Sequence, residues 1–221
     1  GANGTLIGIV DQLLLQPVPG VANADRVVRV YGSGYWTALT RSWPDYLDLR
    51  DKSSAFSSVA AYQTGQVPVG RKALRRLRQE AVTANYFKAL GVKADLGRVI
   101  AEGVDGGVNP APVAVISHRY WMSEFEGSAD AVGDRLRIGD LTYTVVGVAA
   151  KDFAGVDPAE TVAWTALGEL RRDRGNYGAV NVIGRLREGL SLAQADSEAN
   201  RANQQGLRED GLKPEGDVMH L

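Results

Sequence analysis

"DRLRIGDLTYTVVGV", residues 134–148, joins two β-rich runs through Gly139-Asp140, a pair that tolerates positive φ, and reads as a β-hairpin. Upstream, "VAVIS" (113–117) is a continuous apolar run suited to a strand buried on both faces. The aromatic segment "HRYWMSEFE" (118–126) follows as a short helix that Gly127 closes. "GRVIAEGVDGGVNPAP" (97–112), rich in Gly and Pro, is a loop. Residues 94–158 therefore form a β-rich unit with the look of an insertion.

A strand-then-helix pattern stands on either side of this unit. "RVVRVYG" (26–32) has strand composition, and "TRSWPDYLDLRDKSSAF" (40–56) starts a helix in which Ser42 and Asp45 form a capping box. "VAAYQ" (59–63) and "QVPVG" (66–70) read as two short strands, followed by the basic stretch "RKALRRLRQEAVT" (71–83). "TANYFKALG" (83–91) is a short helix with Thr83 as its cap and Gly91 as its left-handed stop. Near the end, "NVIGRLREG" (181–189) is a strand. "LSLAQADSEANRANQQG" (190–206) is a helix capped by Ser191 with Gln194 as box partner, and Leu192, Ala195, Ala199 and Ala202 line one of its faces. Two such units around a β-rich insertion predict an α+β fold with the helices packed on one face of a sheet.

Composition narrows the function. A length of 221 residues suits one large domain or two small ones, and 44% hydrophobic with 23% charged residues is ordinary globular composition. With 25 Lys and Arg against 26 Asp and Glu the net charge is −1, so no global field draws nucleic acid or an anionic membrane. The absence of cysteine excludes disulfides, thiolate metal sites and a cysteine nucleophile.

Most chemical signatures have a plainer account. His118 and His220 are too far apart for a local zinc motif, and no Gly-x-Ser-x-Gly elbow accompanies Ser117 and His118. "YGSGYW" (31–36) lacks the third glycine of a dinucleotide fingerprint and reads as a loop tipped by Tyr35 and Trp36. No P-loop lysine motif is present. Asp45 with Asp48, and Asp157 with Glu160, could face a cation, but neither pair has calcium-loop spacing, and capping and solvation account for them. The strongest local charge is Arg71, Lys72, Arg75, Arg76 and Arg78, with Tyr86 and Phe87 close in sequence. It reads either as a basic patch for an acidic surface or as a solvated strand face.

The chain also begins with an apolar run, "TLIGIVDQLLLQPVPG" (5–20), interrupted by Asp11 and Gln12 and stopped by Pro17 and Pro19. It is shorter than the roughly 20 apolar residues of a membrane-spanning helix. No Lys or Arg precedes Arg26, which sets a cleavable signal segment aside and leaves a core helix or the outer end of a membrane helix.

Five blocks in order resemble the extracytoplasmic core domain of MacB-like ABC transporter permeases, a group of the FtsX/MacB type. They are "SWPDYLDLRDKSSAFSSVAAY", "ANYFKALGVKADLGR", "VAVISHRYWMSEFEG", "VGDRLRIGDLTYTVVGVAAKDFAG" and "VIGRLREGLSLAQA". The resemblance spans Gly1 to about Gln205. Two departures lie in loops of the insertion: Ala149-Ala150-Lys151 stands where a proline commonly occurs, and Glu126 replaces a usual glycine.

The resemblance implies a porter-like part of two βαβ-type units, residues 23–93 and 159–221, with residues 94–158 as an inserted sabre-like part. Residues 1–16 would be the outer end of a truncated transmembrane helix. It further implies a non-catalytic domain without cofactor or metal, exposed on the periplasmic side of a bacterial cell membrane, that relays ATP-driven motion of membrane helices. The implied partners are an ABC ATPase subunit reached through the membrane region and an adaptor or envelope protein, with room for a homodimer of the full-length protein and no nucleic acid. Tyr35, Trp36, Arg75, Arg76 and Arg78 form the expected partner surface. The rival readings are a free-standing ligand- or protein-binding module and a hydrolase using Ser117 and His118.

Overall fold

The computed structural model describes residues 18–32, 40–170, 179–212 and 219–220. The expected membrane-helix end at 1–16 and the expected contact residues Tyr35 and Trp36 lie outside them. The strands are β1 (Val27–Gly32), β2 (Phe56–Gly70), β3 (Arg75–Val82), β4 (Ala94–Gly97), β5 (Val113–Ile116), β6 (Arg135–Ile138), β7 (Leu141–Ala149), β8 (Ala163–Ala166), β9 (Asn181–Leu186) and β10 (Met219–His220). The helices are α1 (Trp43–Lys52), α2 (Tyr86–Leu90), α3 (His118–Phe125) and α4 (Leu192–Glu209). The strands share one sheet in the order β10-β1-β9-β2-β3-β8-β5-β7-β4, and β6 pairs with both β2 and β7.

At one end of the sheet two strand-helix-strand units interleave. β1 and β2 flank β9 and are both antiparallel to it, so they run in the same direction, linked through α1. β9 and β10 flank β1 in the same way, linked through α4. Side-chain alternation sends successive residues of β1, β9 and the first half of β2 to opposite faces, and both faces are covered there. Val28, Val30, Val59, Ala61 and Val182 pack beneath Trp43, Leu49, Ala195 and Ala199 of α1 and α4. Ala60, Tyr62 and Ile183 face the other way, toward Tyr86, Phe87 and Leu90 of α2 and toward Phe153. Helices thus lie on both faces rather than one. The even-numbered and odd-numbered residues near the start of β2 are equally apolar, so neither face can be left to water.

Beyond these units the strands close on themselves. β2 pairs with β3, β3 with β8, β8 with β5, β5 with β7, β7 with β6, and β6 returns to Val69 and Gly70 of β2. The circuit is a small six-stranded barrel filled by Val69, Ala114, Ile116, Leu136, Ile138, Val145 and Ala163, with Tyr120 and Phe125 of α3 in the same core. The Gly139-Asp140 hairpin belongs to it, with Gly139 at φ 60° as the turn requires.

Several local expectations are corrected. The two short strands of 59–70 are one strand of fifteen residues, because its ladder to β3 runs unbroken from Tyr62↔Val82 to Val69↔Arg75. Thr83 does not cap α2. Its Oγ1 accepts from Ala61 N at 3.0 Å and donates to Asn85 Oδ1 at 2.8 Å, and Asn85 occupies the cap position. Leu192 lies on the exposed side of α4, whose buried stripe is Ala195, Ala199, Ala202, Asn203 and Gly206. Small residues there let the helix approach α1 so closely that a Cβ on Gly206 would fall inside the Asp48 carboxylate. The capping boxes at Ser42 and Ser191 are both formed.

Candidate functional site

Glu80 is fully buried where the barrel meets the interleaved units. Alternation along β3 carries Arg76, Arg78, Glu80 and Val82 to one face, and Val82 anchors that face in the core around Tyr86 and Trp164. The Glu80 carboxylate accepts from Thr161 Oγ1 at 2.8 Å, Trp164 Nε1 at 2.9 Å and Tyr86 Oη at 3.1 Å. Burial pushes its pKa above the usual carboxylate value, against the opposing hydrogen bonds from Thr161 and Trp164. Tyr86 and Tyr62 are held well above the ordinary phenol value, first by burial.

Arg78 extends this junction outward. Its guanidinium lies 3.7 Å from Glu80 and pairs with Asp157, which also pairs with Arg29 of β1 and accepts from Tyr62 Oη at 3.2 Å. One carboxylate from the 150–161 connection thereby ties β1, β2 and β3 together. The carboxylates of Glu80 and Asp157 are thus engaged by donors of the protein itself, and the network joins neighbouring strands.

The lead-in to β1 is fastened in a comparable way. Arg185 of β9 donates to the carbonyls of Ala22 at 2.6 Å, Asn23 at 3.3 Å and Ala89 at 2.6 Å. Ala22 N donates to Leu90 O at 3.1 Å, and Arg26 reaches Leu186 O. Gly91, at φ 66°, leaves no room for a Cβ beside Ala22.

The expected partner residues separate. Arg75 is exposed and pairs with Glu124 of α3, Arg76 is exposed, and Arg78 is spent inward on Asp157. Ser117 is buried, and its Oγ accepts from Tyr120 N at 3.1 Å as the N-cap of α3. His118 packs edge-on against Trp121 with Nε2 4.0 Å from Asp95. Asp157 and Glu160 are directed to different partners, Glu160 to Arg119. Asp45 serves the Ser42 cap and Arg41, and Asp48 pairs with Lys52. Among the described residues no three His, Asp or Glu side chains converge as a metal site.

A cleft of about 150 Å³ lined by Trp43, Tyr46, Arg50, Asn85, Glu102 and Leu167 falls below the ~300–1,000 Å³ usual for small-molecule sites. Sequence reading missed the Glu80 and Asp157 network. An acid two residues from a buried valine in a β-branched and apolar strand end was the only signal for it.

Three solved structures share the fold. The periplasmic region of MacB from Actinobacillus actinomycetemcomitans matches with 14% identity and a TM-score of 0.65, over 94% of this chain and 92% of that one. A domain of a putative permease from Porphyromonas gingivalis matches with 16% identity and a TM-score of 0.66, over 90% of each chain. The extracellular domain of the noncanonic ABC-type transporter YknZ from Gram-positive bacteria matches with 12% identity and a TM-score of 0.63, over 88% of this chain and 98% of that one. No curated protein sequence matches. Among the described residues no helix is long and apolar enough to cross a membrane. The family model of the MacB-like periplasmic core domain matches residues 1–202, and the chain belongs to that family of ABC transporter permease domains.

Proposed function

We propose that this domain is a rigid, non-catalytic relay that carries ATP-driven movement of membrane helices to a partner on the extracytoplasmic side. The observation that carries this reading is the pairing of β1 with β10, Tyr31 opposite His220 and Gly32 opposite Met219. Because the two strands are antiparallel, the chain enters β1 at Val27 and β10 runs back toward that same end. A domain hung between two membrane helices needs its two connections together, and this sheet edge provides it.

β2 carries the connection outward. Ser58 is level with Arg185, which is level with Val27, and the strand continues to Gly70 in the barrel, about 40 Å farther along. The Arg185 fastening, the Asp157 clamp and the Glu80 junction make this span stiff. In this reading residues 23–93 and 159–221 form the porter-like part, residues 94–158 form the sabre-like part, and residues 1–16 are the outer end of a membrane helix. An ABC ATPase subunit works through the membrane region, an adaptor or envelope protein meets the exposed side, and the full-length protein has room to pair as a homodimer. Arg75 and Arg76, with Tyr35 and Trp36, would face the partner, and Arg78 would brace the strand that presents them.

The test is a flexible Gly-Ser insertion between Asn23 and Ala24 in the full-length permease assembled with its ATPase. The reading expects ATP hydrolysis to persist while the downstream output is lost. An output that survives the insertion would refute the relay.

A further inference from the structure

Two segments far apart in sequence put arginines side by side on the outside of the barrel. Arg76 of β3 pairs with Pro68 of β2, and Arg137 of β6 pairs with Gly70 of β2 and Thr142 of β7, while Arg135 pairs with Thr144. Directly paired residues share a sheet face. Val69, Leu136 and Ile138 of the alternate positions fill the barrel, so Arg76, Arg135 and Arg137 all point away from it, and all three are exposed. Gln66, Pro68, Thr142 and Thr144 of the same face are exposed as well.

Among the described residues Arg76, Arg135 and Arg137 have no carboxylate partner, although Arg137 Nε donates to Gly139 O at 3.2 Å, and in this they differ from their neighbours. Arg71 pairs with Asp134 and packs over Phe125, Arg75 pairs with Glu124, Arg98 with Asp105 and Arg119 with Glu160. Of the acids beside the face, Asp134 and Glu124 are engaged by Arg71 and Arg75, and Asp140 stands exposed in the β6–β7 turn. Arg78 shares the parity of Arg76 but is turned to Asp157.

We propose that this outer barrel face is a docking surface for an extended acidic polypeptide segment, with Arg76, Arg135 and Arg137 each receiving a carboxylate. Arg135 and Arg137, two residues apart on one strand, stand about 7 Å apart, the repeat of alternate side chains on an extended chain. Arg76, two strands over across β2, lies about 12 Å from Arg137. Guanidinium forks on stiff strands suit two-point carboxylate binding better than a lysine would. Only three charges act here, on a domain of net charge −1 and among neutral Gln and Thr, a poor attractor for a phosphate or sulfate polymer.

The proposal deepens the reading of this domain as one that engages a partner, but its test needs only the 221-residue domain, so failure would leave the relay standing. Fluorescein-labelled poly-L-glutamate is titrated with the wild type, with Arg76→Ser/Arg135→Ser/Arg137→Ser, and with Lys93→Ser/Lys151→Ser/Arg208→Ser, which removes equal charge elsewhere. The arginine variant is expected to bind about tenfold more weakly and the control within about twofold of wild type. If the serine variant fails to fold, the Arg→Lys triple replaces it and is expected to bind about threefold more weakly. Equal weakening of both triple variants, or no weakening of the arginine variant, overturns the proposal. So does tighter arginine-dependent binding of heparin or of phosphatidylglycerol vesicles than of polyglutamate, which would assign the face to another class of partner.

Discussion

The guanidinium of Arg185 donates to the carbonyl of Ala22 at 2.6 Å, bolting the segment that leads into β1 onto the strand beside it. The same side chain holds Ala89 O, so the lead-in, β9 and the end of α2 share one cation. Replacing Arg185 with Ala should lower unfolding free energy by about 2 kcal/mol, the scale of charge-assisted hydrogen bonds. Amide exchange at Ala22 should rise more than exchange in the barrel strands. Unaltered protection at Ala22 would show that the lead-in is held by other means.

Glu80 predicts a pH effect of definite sign. Burial raises its folded pKa above the ordinary carboxylate value, so the folded state holds a proton that the unfolded chain has released. The stability this group contributes is fully present below the ordinary value, about 4.3, and is lost as pH rises through the folded value. Glu80→Gln removes the titration. Wild-type stability relative to Glu80→Gln should therefore fall from pH 4 toward neutrality in urea melts, and a difference that grows over this interval would contradict the assignment. Glu80→Leu should cost about 3 to 5 kcal/mol at pH 4, since Thr161, Tyr86 and Trp164 would be left as buried donors without their acceptor, and the cost should shrink toward neutrality with the same pH dependence.

The close approach of α4 to α1 depends on Gly206. An added methyl would meet the Asp48 carboxylate, itself paired with Lys52, which also binds Glu209. Gly206→Ala should destabilise by about 2 to 3 kcal/mol despite the better helix propensity of alanine. A gain in melting temperature would mean that the two helices separate without penalty.

Local signals in the chain were readable where one segment settles its own structure. The Ser42 and Ser191 capping boxes, the Gly91 stop and the Gly139-Asp140 hairpin needed only their neighbours, and all are present. Thr83 looked like a cap because its competitor, the amide of Ala61, is 22 residues away. Closure of the barrel was hidden for the same reason, since β6 returns to β2 through Val69↔Ile138, a pairing across 69 positions. The basic run 71–78 was visible as charge. Its division into Arg75 on α3, Arg76 in solvent and Arg78 on Asp157 follows from strand parity and from partners distant in sequence. Glu80 and Asp157 were likewise unreadable as a site, because each owes its role to residues on three other segments, most of them distant in sequence.

The central claim, that a stiff body passes motion from one end to the other, is tested most directly by spin-label distances in the full-length permease. One pair joins exposed positions Ser57 and Lys72 within the domain, and another joins Lys72 to a site at the end of a flanking membrane helix. Across nucleotide-free and ATP-bound states the account predicts an unchanged distribution for the first pair and a shifted one for the second. A shift within the domain, or none in either pair, would contradict it.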